Sequence, residues 1–348
     1  MKYYLIAGEA SGDLHGSNLM KGLLRSDPQA EFRFWGGDLM AAVGGREHLA
    51  KHYRDASFFG IGEIVRRLPT VLAQIRECKR DIVAYAPDVL VLIDYPGFNF
   101  RMAKFAHGCG IRVFYYISPK VWAWKEHRVE RIRRYVDKLF IIFPFEVEYF
   151  ARRGIDAVYE GNPLMDAIAE RCAAMPPREE FFRANGFGAR SVIALLAGSR
   201  IICLYDKTYE IVRYADAAVV TSGTATLETA LIGTPEVVCY RTDALTVWAG
   251  RRLLKIPYIS LVNLVMGREV VKELIQQEMT PERAAEELRA ILPGGGQRER
   301  MLADYDALRK RIGGPGASER VAARMVALLK GEKAPRPTER EQENGGAK

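Results

Sequence analysis

No apolar run in this 348-residue chain approaches the length of a membrane span. The bilayer core asks for about 18 or more consecutive apolar residues, and every apolar stretch here is broken well short of that. Cysteine is scarce and unpatterned. The five thiols (Cys78, Cys109, Cys172, Cys203, Cys239) are odd in number and lack paired spacing, which argues against a disulfide framework or a zinc ribbon and for reduced thiols in the cytoplasm. The chain runs from Met-Lys straight into the strand-like "YYLIAGEA" with no cleavage-site pattern, so no signal peptide is expected. Zinc-finger, RRM-like and basic-zipper patterns are also missing. That matters because the charge is one-sided: 51 Lys and Arg against 43 Asp and Glu, a net charge of +8 and a pI near 9.2. Such an excess suits an anionic partner, whether nucleic acid, a phosphorylated small molecule or an anionic membrane surface. The missing motifs leave no nucleic-acid partner expected. Arginines on solvated helix faces are the plainer source of the excess.

What is present is an alternation of buried strands and amphipathic helices. "YYLIAGE" precedes a helix expected near Ser17 to Leu24, and "EFRFWGG" follows. Helical spacing over Gly62 to Ala84 leads into "DVLVLIDY", and "IRVFYYIS" and "KLFIIFPF" repeat the pattern. Continuous apolar strands separated by helices indicate an α/β fold with a parallel sheet covered on both faces. A polar helix around Pro176 to Ala184 is followed by a second series, "ARSVIALLAGSR", "AAVVTSG" and "PEVVCYR". The expected division is therefore a first domain over residues 1–170 and a second, shortened one over 171–312. A C-terminal helix over 313–330 and a disordered tail over 331–348 complete it, the tail lacking apolar periodicity. Three C-terminal helices are read in all, near Pro281 to Ile291, Gln297 to Arg311 and Ser318 to Leu329.

One stretch breaks the alternation. In "LLAGSRIICLYDKTY", Leu195 to Tyr209, a strand enters a Gly-Ser-Arg turn and Ile201 to Leu204 reads as a second short strand almost at once. Parallel neighbours need a crossover of about a dozen residues or more. Either these two runs are not neighbours, or a helix is absent.

Polar clusters fall at the expected carboxyl ends of strands, where ligands of open α/β sheets bind. "GEASGDLHG" (Gly8 to Gly16) combines small residues with a following helix whose amides suit an anion. His15 and Asp13 are candidates for catalysis there, and helix capping by Ser11 or Asp13 is the alternative. In "LIDYPGFNF", Asp94 emerges at a strand end before Pro-Gly. It reads either as a general base that takes a proton from a hydroxyl or as an Asx-turn residue. "YYISPKVWAWKEHR" mixes Trp122 and Trp124 with Lys120, Lys125 and Arg128, which suits a substrate carrying sugar or lipid and phosphate; core packing accounts for the tryptophans alone. "VVTSGTATLETAL" sets a helix beginning near Ala225 behind a tight turn at Gly223. Ser222, Thr224 and the helix amides can cradle a pyrophosphate, and Glu228, one turn in, can meet ribose hydroxyls; a helix cap is the alternative. "SLVNLVMGREVVKEL" supplies Asn263, Arg268 and Glu269. "FFGIGEIVRRLPTVL" sets Phe58, Phe59, Ile61 and Ile64 beside Arg66 and Arg67, either an interfacial segment on anionic lipid or a buried helix with a charged edge.

Together "AGEASGD", "IDYPGFN", "YYISPKVWAWKEHR", "GNP" at Gly161 to Pro163, "AGSR", "TSGTATLE" and "SLVNLVMGREVVKEL" resemble, in order, the motifs of the lipid-A-disaccharide synthases. The resemblance implies a GT-B-like α/β architecture, two Rossmann-type doubly wound domains facing a cleft. It also implies a glycosyltransferase that moves 2,3-diacylglucosamine from UDP-2,3-diacylglucosamine to the 6-hydroxyl of 2,3-diacylglucosamine 1-phosphate. The products are UDP and a β-1,6-linked disaccharide 1-phosphate, with no metal and no cofactor required. Asp94 falls at the position of the family's general base. Ser11, His15, Asn99, Ser118 and Trp124 are the substrate-binding candidates of the first half, and Arg200, Ser222, Gly223, Thr224, Glu228, Asn263, Arg268 and Glu269 those of the second. Phe58, Phe59, Ile61, Ile64, Arg66 and Arg67 are the membrane-facing candidates. The implied setting is cytoplasmic, peripheral to the inner membrane, and a homodimer is permitted.

The family carries a helix, a strand and another helix between the Gly-Ser-Arg turn and "TSGTATLE". Here Arg200 runs directly into "IICLYDKTYEIVRYADAAVV", so on the order of fifty residues are missing if a βαβ unit takes about 30 or more. The second domain must then re-pair its sheet or leave apolar faces uncovered. A deletion in a repurposed copy and a false junction of two true ends are the other accounts. The competing function is a family member that only binds UDP-sugar or lipid. Another GT-B enzyme making a different glycolipid is disfavoured by "SPKVWAWKEHR".

Overall fold

The computed structural model describes residues 1–56, 68–187, 192–196, 204, 207–221, 223–242 and 256–331. They form two units, one of residues 1–163 with 316–331 and the other of residues 164–315.

The first unit is built on seven parallel strands: β1 (Lys2–Ala7), β2 (Glu31–Gly36), β3 (Leu49–His52), β4 (Val89–Ile93), β5 (Arg112–Tyr116), β6 (Lys138–Ile141) and β7 (Ala157–Tyr159). Their order across the sheet is β3-β2-β1-β4-β5-β6-β7. Every residue of β4 is buried, as a strand covered on both faces requires. The two-residue period divides its side chains between two cores. Leu90 and Leu92 join Tyr4, Ile6 and Tyr115 beneath the Leu68–Tyr85 and Pro96–Gly108 helices. Val89, Val91 and Ile93 join Tyr3 and Leu5 against Leu19 and Leu23 of the Ala10–Ser26 helix. The Ala317–Leu329 helix brings the chain back to this unit, packing Val321, Ala322 and Met325 on the same face. Ion pairs Arg25–Glu319 at 2.8 Å and Arg324–Glu160 at 2.9 Å tie it there.

The first helix starts at Ala10 rather than near Ser17. Its glycines, which resemble loop residues in sequence, serve close packing instead. A Cβ on Gly16 would stand 2.7 Å from the Met40 sulfur. Asp13 on this helix is buried and accepts the backbone N–H groups of Gly37 (2.7 Å), Leu39 (3.0 Å) and Met40 (3.0 Å). It therefore caps the neighbouring Asp38–Gly44 helix rather than taking part in chemistry.

The second unit carries four parallel strands in the order β11-β10-β9-β8: β8 (Ile193–Leu196), β9 (Ala217–Val220), β10 (Glu236–Tyr240) and β11 (Lys272–Ile275). β8 pairs directly with β9, Ile193 opposite Ala217 and Leu196 opposite Val220. The connection between them includes the Thr208–Tyr214 helix, so a helical crossover joins true parallel neighbours. The expected strand at Ile201 to Leu204 falls mostly outside the described residues, and Leu204 itself is in no strand. β8 is the edge strand of this four-stranded sheet. Ile193 is 43% and Leu195 36% exposed, while Ala194 between them is buried. One face of β8 is thus more exposed than a two-sided α/β sheet leaves its strands.

Replacing Asp13 by alanine strands three amide donors at the Asp38–Gly44 helix. A loss of about 2–3 kcal/mol is expected, and the asparagine variant should lose about half as much. Urea unfolding of the intact chain checks this, and an unchanged midpoint for Asp13→Ala would remove the cap from the account.

Candidate active site

The strand order of the first sheet reverses between β1 and β4, and a doubly wound sheet opens its ligand crevice at the carboxyl ends of such a pair. Ala7 and Ile93 are register partners at those ends. Gly8 therefore leaves β1 beside the point where Asp94 leaves β4. Asp94 (φ 43°) and Tyr95 (φ 46°) both adopt the left-handed region, which costs non-glycine residues about 1–3 kcal/mol each and persists only when the surroundings impose it. The surroundings are specific. The Asp94 carbonyl accepts the Asn99 amide at 2.8 Å and the Tyr115 hydroxyl at 2.6 Å. The Asp94 N–H donates to the Tyr116 carbonyl at 3.1 Å. The Tyr95 ring then lies over Gly8, where a Cβ would stand 2.3 Å from ring carbons; only glycine fits.

This turn leaves the Asp94 carboxyl half-buried at the sheet's edge, with its pKa raised to about 6. Burial is the main cause, and the Glu9 carboxylate adds to it. Lys120 and the Tyr95 N–H oppose the rise. A carboxyl tuned toward neutral pH can take a proton from a hydroxyl without being fully protonated itself. Glu9 and Lys120 were not among the expected site residues. Glu9 carries only a positional signal, two residues past the end of β1, and Lys120 stood out in sequence solely as one cation among several.

The other first-unit candidates follow the same strand ends. Ser11, exposed, donates its hydroxyl to Glu9 Oε1 at 2.6 Å, and His15 lies one turn further along that helix, half-buried. Asn99 is buried and spends its amide N–H groups on Asp94 and on the Ile93 carbonyl, 3.2 Å away, so it fastens the turn. Ser118 is buried after β5 and donates to the Pro119 carbonyl at 3.2 Å. The two tryptophans part company. Trp122 donates its indole N–H to Glu146 at 2.9 Å, whereas Trp124 is 46% exposed and carries the Lys125 ammonium 3.7 Å above its ring. Glu146 also accepts the Ile142 and Phe143 amides at 3.1 and 3.0 Å. Complete burial nevertheless pushes its pKa up to about 7, against those hydrogen bonds.

In the second unit Gly223 (φ 114°) precedes the Thr224–Ile232 helix, and Thr226 donates to the Gly223 carbonyl at 2.8 Å. Glu228 accepts the Tyr209 hydroxyl at 3.2 Å and lines a small recess with Thr208, Val212 and Ile232; burial raises its pKa. Asn263 is buried and fully engaged. Its amide donates to the Val271 carbonyl and to Glu273, both at 2.9 Å, and its oxygen accepts the Val270 and Val271 amides. It braces the loop ahead of β11 and has no hydrogen-bonding capacity left for a ligand. Arg268 forms a two-pronged pair with Asp304 (2.9 and 2.6 Å) and Glu269 pairs with Lys272 at 3.3 Å. Both residues precede β11, at the amino end of a parallel sheet, while Gly223 follows β9 at its carboxyl end. The topology does not gather them into one site. Arg200, Ser222 and the membrane-facing candidates Phe58, Phe59, Ile61, Ile64, Arg66 and Arg67 lie outside the described residues.

The sequence model of the family described as lipid-A-disaccharide synthetase matches residues 3–204 and 201–319. The chain belongs to the lipid-A-disaccharide synthase family. Membership makes it a glycosyltransferase of lipid A disaccharide formation, and a protein that only binds is not favoured. The Myxococcus xanthus lipid-A-disaccharide synthase is 35% identical over 375 aligned residues, covering 93% of this chain and 97% of that one. The Syntrophus aciditrophicus enzyme is 36% identical over 380, covering 94% and 97%. These alignments exceed the length of the chain itself, so the relatives carry residues that it lacks. The family match breaks at residues 201–204, where the sequence puts the missing stretch. Among solved structures, a UDP-GlcNAc 2-epimerase from Neisseria meningitidis bound to UDP-GlcNAc superposes with a TM-score of 0.62 at 11% identity, over 95% of this chain and 100% of that one. A putative UDP-N-acetylglucosamine 2-epimerase from Listeria monocytogenes gives 0.65 at 12%, over 96% and 98%. The architecture is GT-B-like, with two Rossmann-type units of which the second is shortened.

The folded chain keeps a proton on Glu146 that a free carboxyl releases near its ordinary pKa of 4.5. The stabilisation is thus present in full below about pH 4.5 and is lost as pH rises through about 7. The difference in urea midpoint between the chain and its Glu146→Gln variant should shrink across that window. Parallel midpoint profiles from pH 4 to 8 would contradict the buried, protonated carboxyl.

Proposed function

We propose that the chain transfers 2,3-diacylglucosamine from UDP-2,3-diacylglucosamine to the 6-hydroxyl of 2,3-diacylglucosamine 1-phosphate. In this reading Asp94 takes the hydroxyl proton as the oxygen bonds to the donor's anomeric carbon. The bond from that carbon to UDP breaks on the opposite face, so a β-1,6 linkage forms and UDP departs. A single displacement needs one base and a held leaving group, the logic that inverting glycosidases share. The observation that carries the reading is the Asp94 carboxyl itself: strained into a left-handed turn, pinned by Asn99 and Tyr115, and tuned to about pH 6 at the reversal of strand order. Gly223, Thr224 and the helix amides behind them are assigned to the donor's pyrophosphate, and Glu228 to its ribose. Arg200 and Ser222 join them by sequence position. The likeness of fold to an epimerase holding a UDP-sugar supports this placement.

The segment from Phe58 to Leu68 is assigned to the membrane surface, where the acyl chains reside. No helix among the described residues is long and apolar enough to cross a membrane. In this reading contact through the segment is peripheral, at the cytoplasmic face of the inner membrane.

Acceptor-dependent UDP release by the purified chain tests the activity. Asp94→Asn keeps the side chain's shape but not its basicity, and should lower turnover about 10²–10⁴-fold with little change in unfolding midpoint. Full turnover in that variant would remove Asp94 from the base role. Because the base works ionised, kcat/KM should climb with pH up to about 6 and level off above it; a flat profile from pH 5 to 8 would contradict the assignment. If Arg66 and Arg67 meet anionic lipid, salt should weaken vesicle binding; salt-insensitive binding would leave apolar contacts alone.

A further inference from the structure

The loop and helix after β5 hold a cluster of cations, of which only Lys120 acts on Asp94. Lys120, Lys125 and Arg128 form no ion pair among the described residues. The nearest carboxylates in sequence are already taken, Glu126 by Arg153 and Glu130 by Arg133. Desolvation lowers the pKa of both Lys125 and Arg128, and a neighbouring cation adds to it in each case, Arg128 acting on Lys125 and Arg131 on Arg128. Two unneutralised cations held side by side oppose folding unless something else is gained, because like charges on a surface ordinarily spread apart.

The cluster is shaped as well as charged. The Arg128 guanidinium stands 6.0 Å from the Phe100 ring centre and 5.9 Å from that of Trp124. Lys125 itself sits in a left-handed backbone conformation (φ 55°), with its ammonium on one side of the exposed Trp124 ring. Aromatic faces hold cations by their quadrupole and also stack on the apolar faces of sugar rings. One aromatic layer separates this cluster from the proposed base. The Phe100 ring lies 5.7 Å from that of Tyr115, and the Tyr115 hydroxyl donates to the Asp94 carbonyl.

We infer that Lys125 and Arg128, with Trp124 as the sugar platform and Lys120 toward Asp94, bind the phosphomonoester of the acceptor sugar. The inference rests on the proposed reading, in which Asp94 takes the proton of an acceptor hydroxyl. The acceptor carries its phosphate on the same sugar ring as that hydroxyl, whereas the donor's pyrophosphate belongs to the Gly223 turn. Cations one layer from Asp94 therefore meet the acceptor's phosphate. A guanidinium beside an ammonium suits a phosphomonoester, with two-pronged hydrogen bonds from Arg128 and a point charge from Lys125.

Two measurements on the intact chain test this. In the first, glucosamine 1-phosphate, glucosamine and UDP are titrated separately. Glucosamine 1-phosphate should bind and glucosamine should not, and Lys125→Gln and Arg128→Gln should each weaken the sugar phosphate about 10-fold or more while leaving UDP unchanged. In the second, the same variants should raise KM for 2,3-diacylglucosamine 1-phosphate about 10–100-fold with a far smaller change in kcat and in donor KM, and Lys125→Arg should recover most of the loss. Unchanged acceptor KM, a rise in donor KM instead, or weakened binding to anionic vesicles with acceptor KM intact would each overturn the assignment. The last outcome would give the cluster to lipid phosphates. Failure of the underlying reading looks different: Asp94→Asn would keep its turnover while the variants still lost glucosamine 1-phosphate.

Discussion

The left-handed turn at Asp94 and Tyr95 is the constraint around which the first unit is arranged. Two adjacent non-glycine residues in that conformation cost several kcal/mol, and hydrogen bonds from Asn99 and Tyr115 to one carbonyl oppose the relaxation that would recover it. Gly8 must lack a side chain because the displaced Tyr95 ring occupies its space. The neighbouring strand ends then bring Glu9 and Lys120 into electrostatic reach, the first raising and the second lowering the pKa of the turn's carboxyl. A relaxed turn would lose the placement of the carboxyl and its tuning at once, since both come from the same few contacts.

The second unit shows how an α/β sheet absorbs the loss of an interior βα stretch. Parallel strands need a crossover with enough chain to pass over the sheet, and the connection between β8 and β9 includes the Thr208–Tyr214 helix. On the edge strand β8, Ile193 and Leu195 remain partly exposed. The Gly223 turn lies one strand inward and is braced independently: Thr226 accepts the Leu261 amide, and Glu273 gathers the amides of Ile259, Ser260 and Asn263. The Gly223 turn is thus fastened by contacts that do not pass through β8.

The alternation of strands and helices was legible because buried parallel strands read as unbroken apolar runs, "DVLVLIDY" above all. Asp94 was legible for a related reason, since a charge that ends such a run must emerge at the sheet's edge. The first helix was misread by seven residues because Gly12 and Gly16 look like loop residues until the sheet beneath them is known. Asp13 resembled a catalytic residue or a cap for its own helix, and its true client, the Asp38–Gly44 helix, is two dozen residues away in sequence. Asn263 looked available for a ligand, yet its amide is spent on partners that only folding supplies, and Arg268 pairs with Asp304, likewise a partner from another element.

By itself, then, the sequence determined the fold class, the family and the strand-end position of the carboxylate, because these follow from local periodicity and from contiguous motifs. Which strands became neighbours in the shortened sheet, which polar residues were spent on bracing, and which carboxylate and ammonium act on Asp94 were decided by tertiary structure. Hydrogen-bonding capacity and electrostatic reach depend on distance in space, and residues from β1, β4 and the loop after β5 come within that distance only when the sheet has formed.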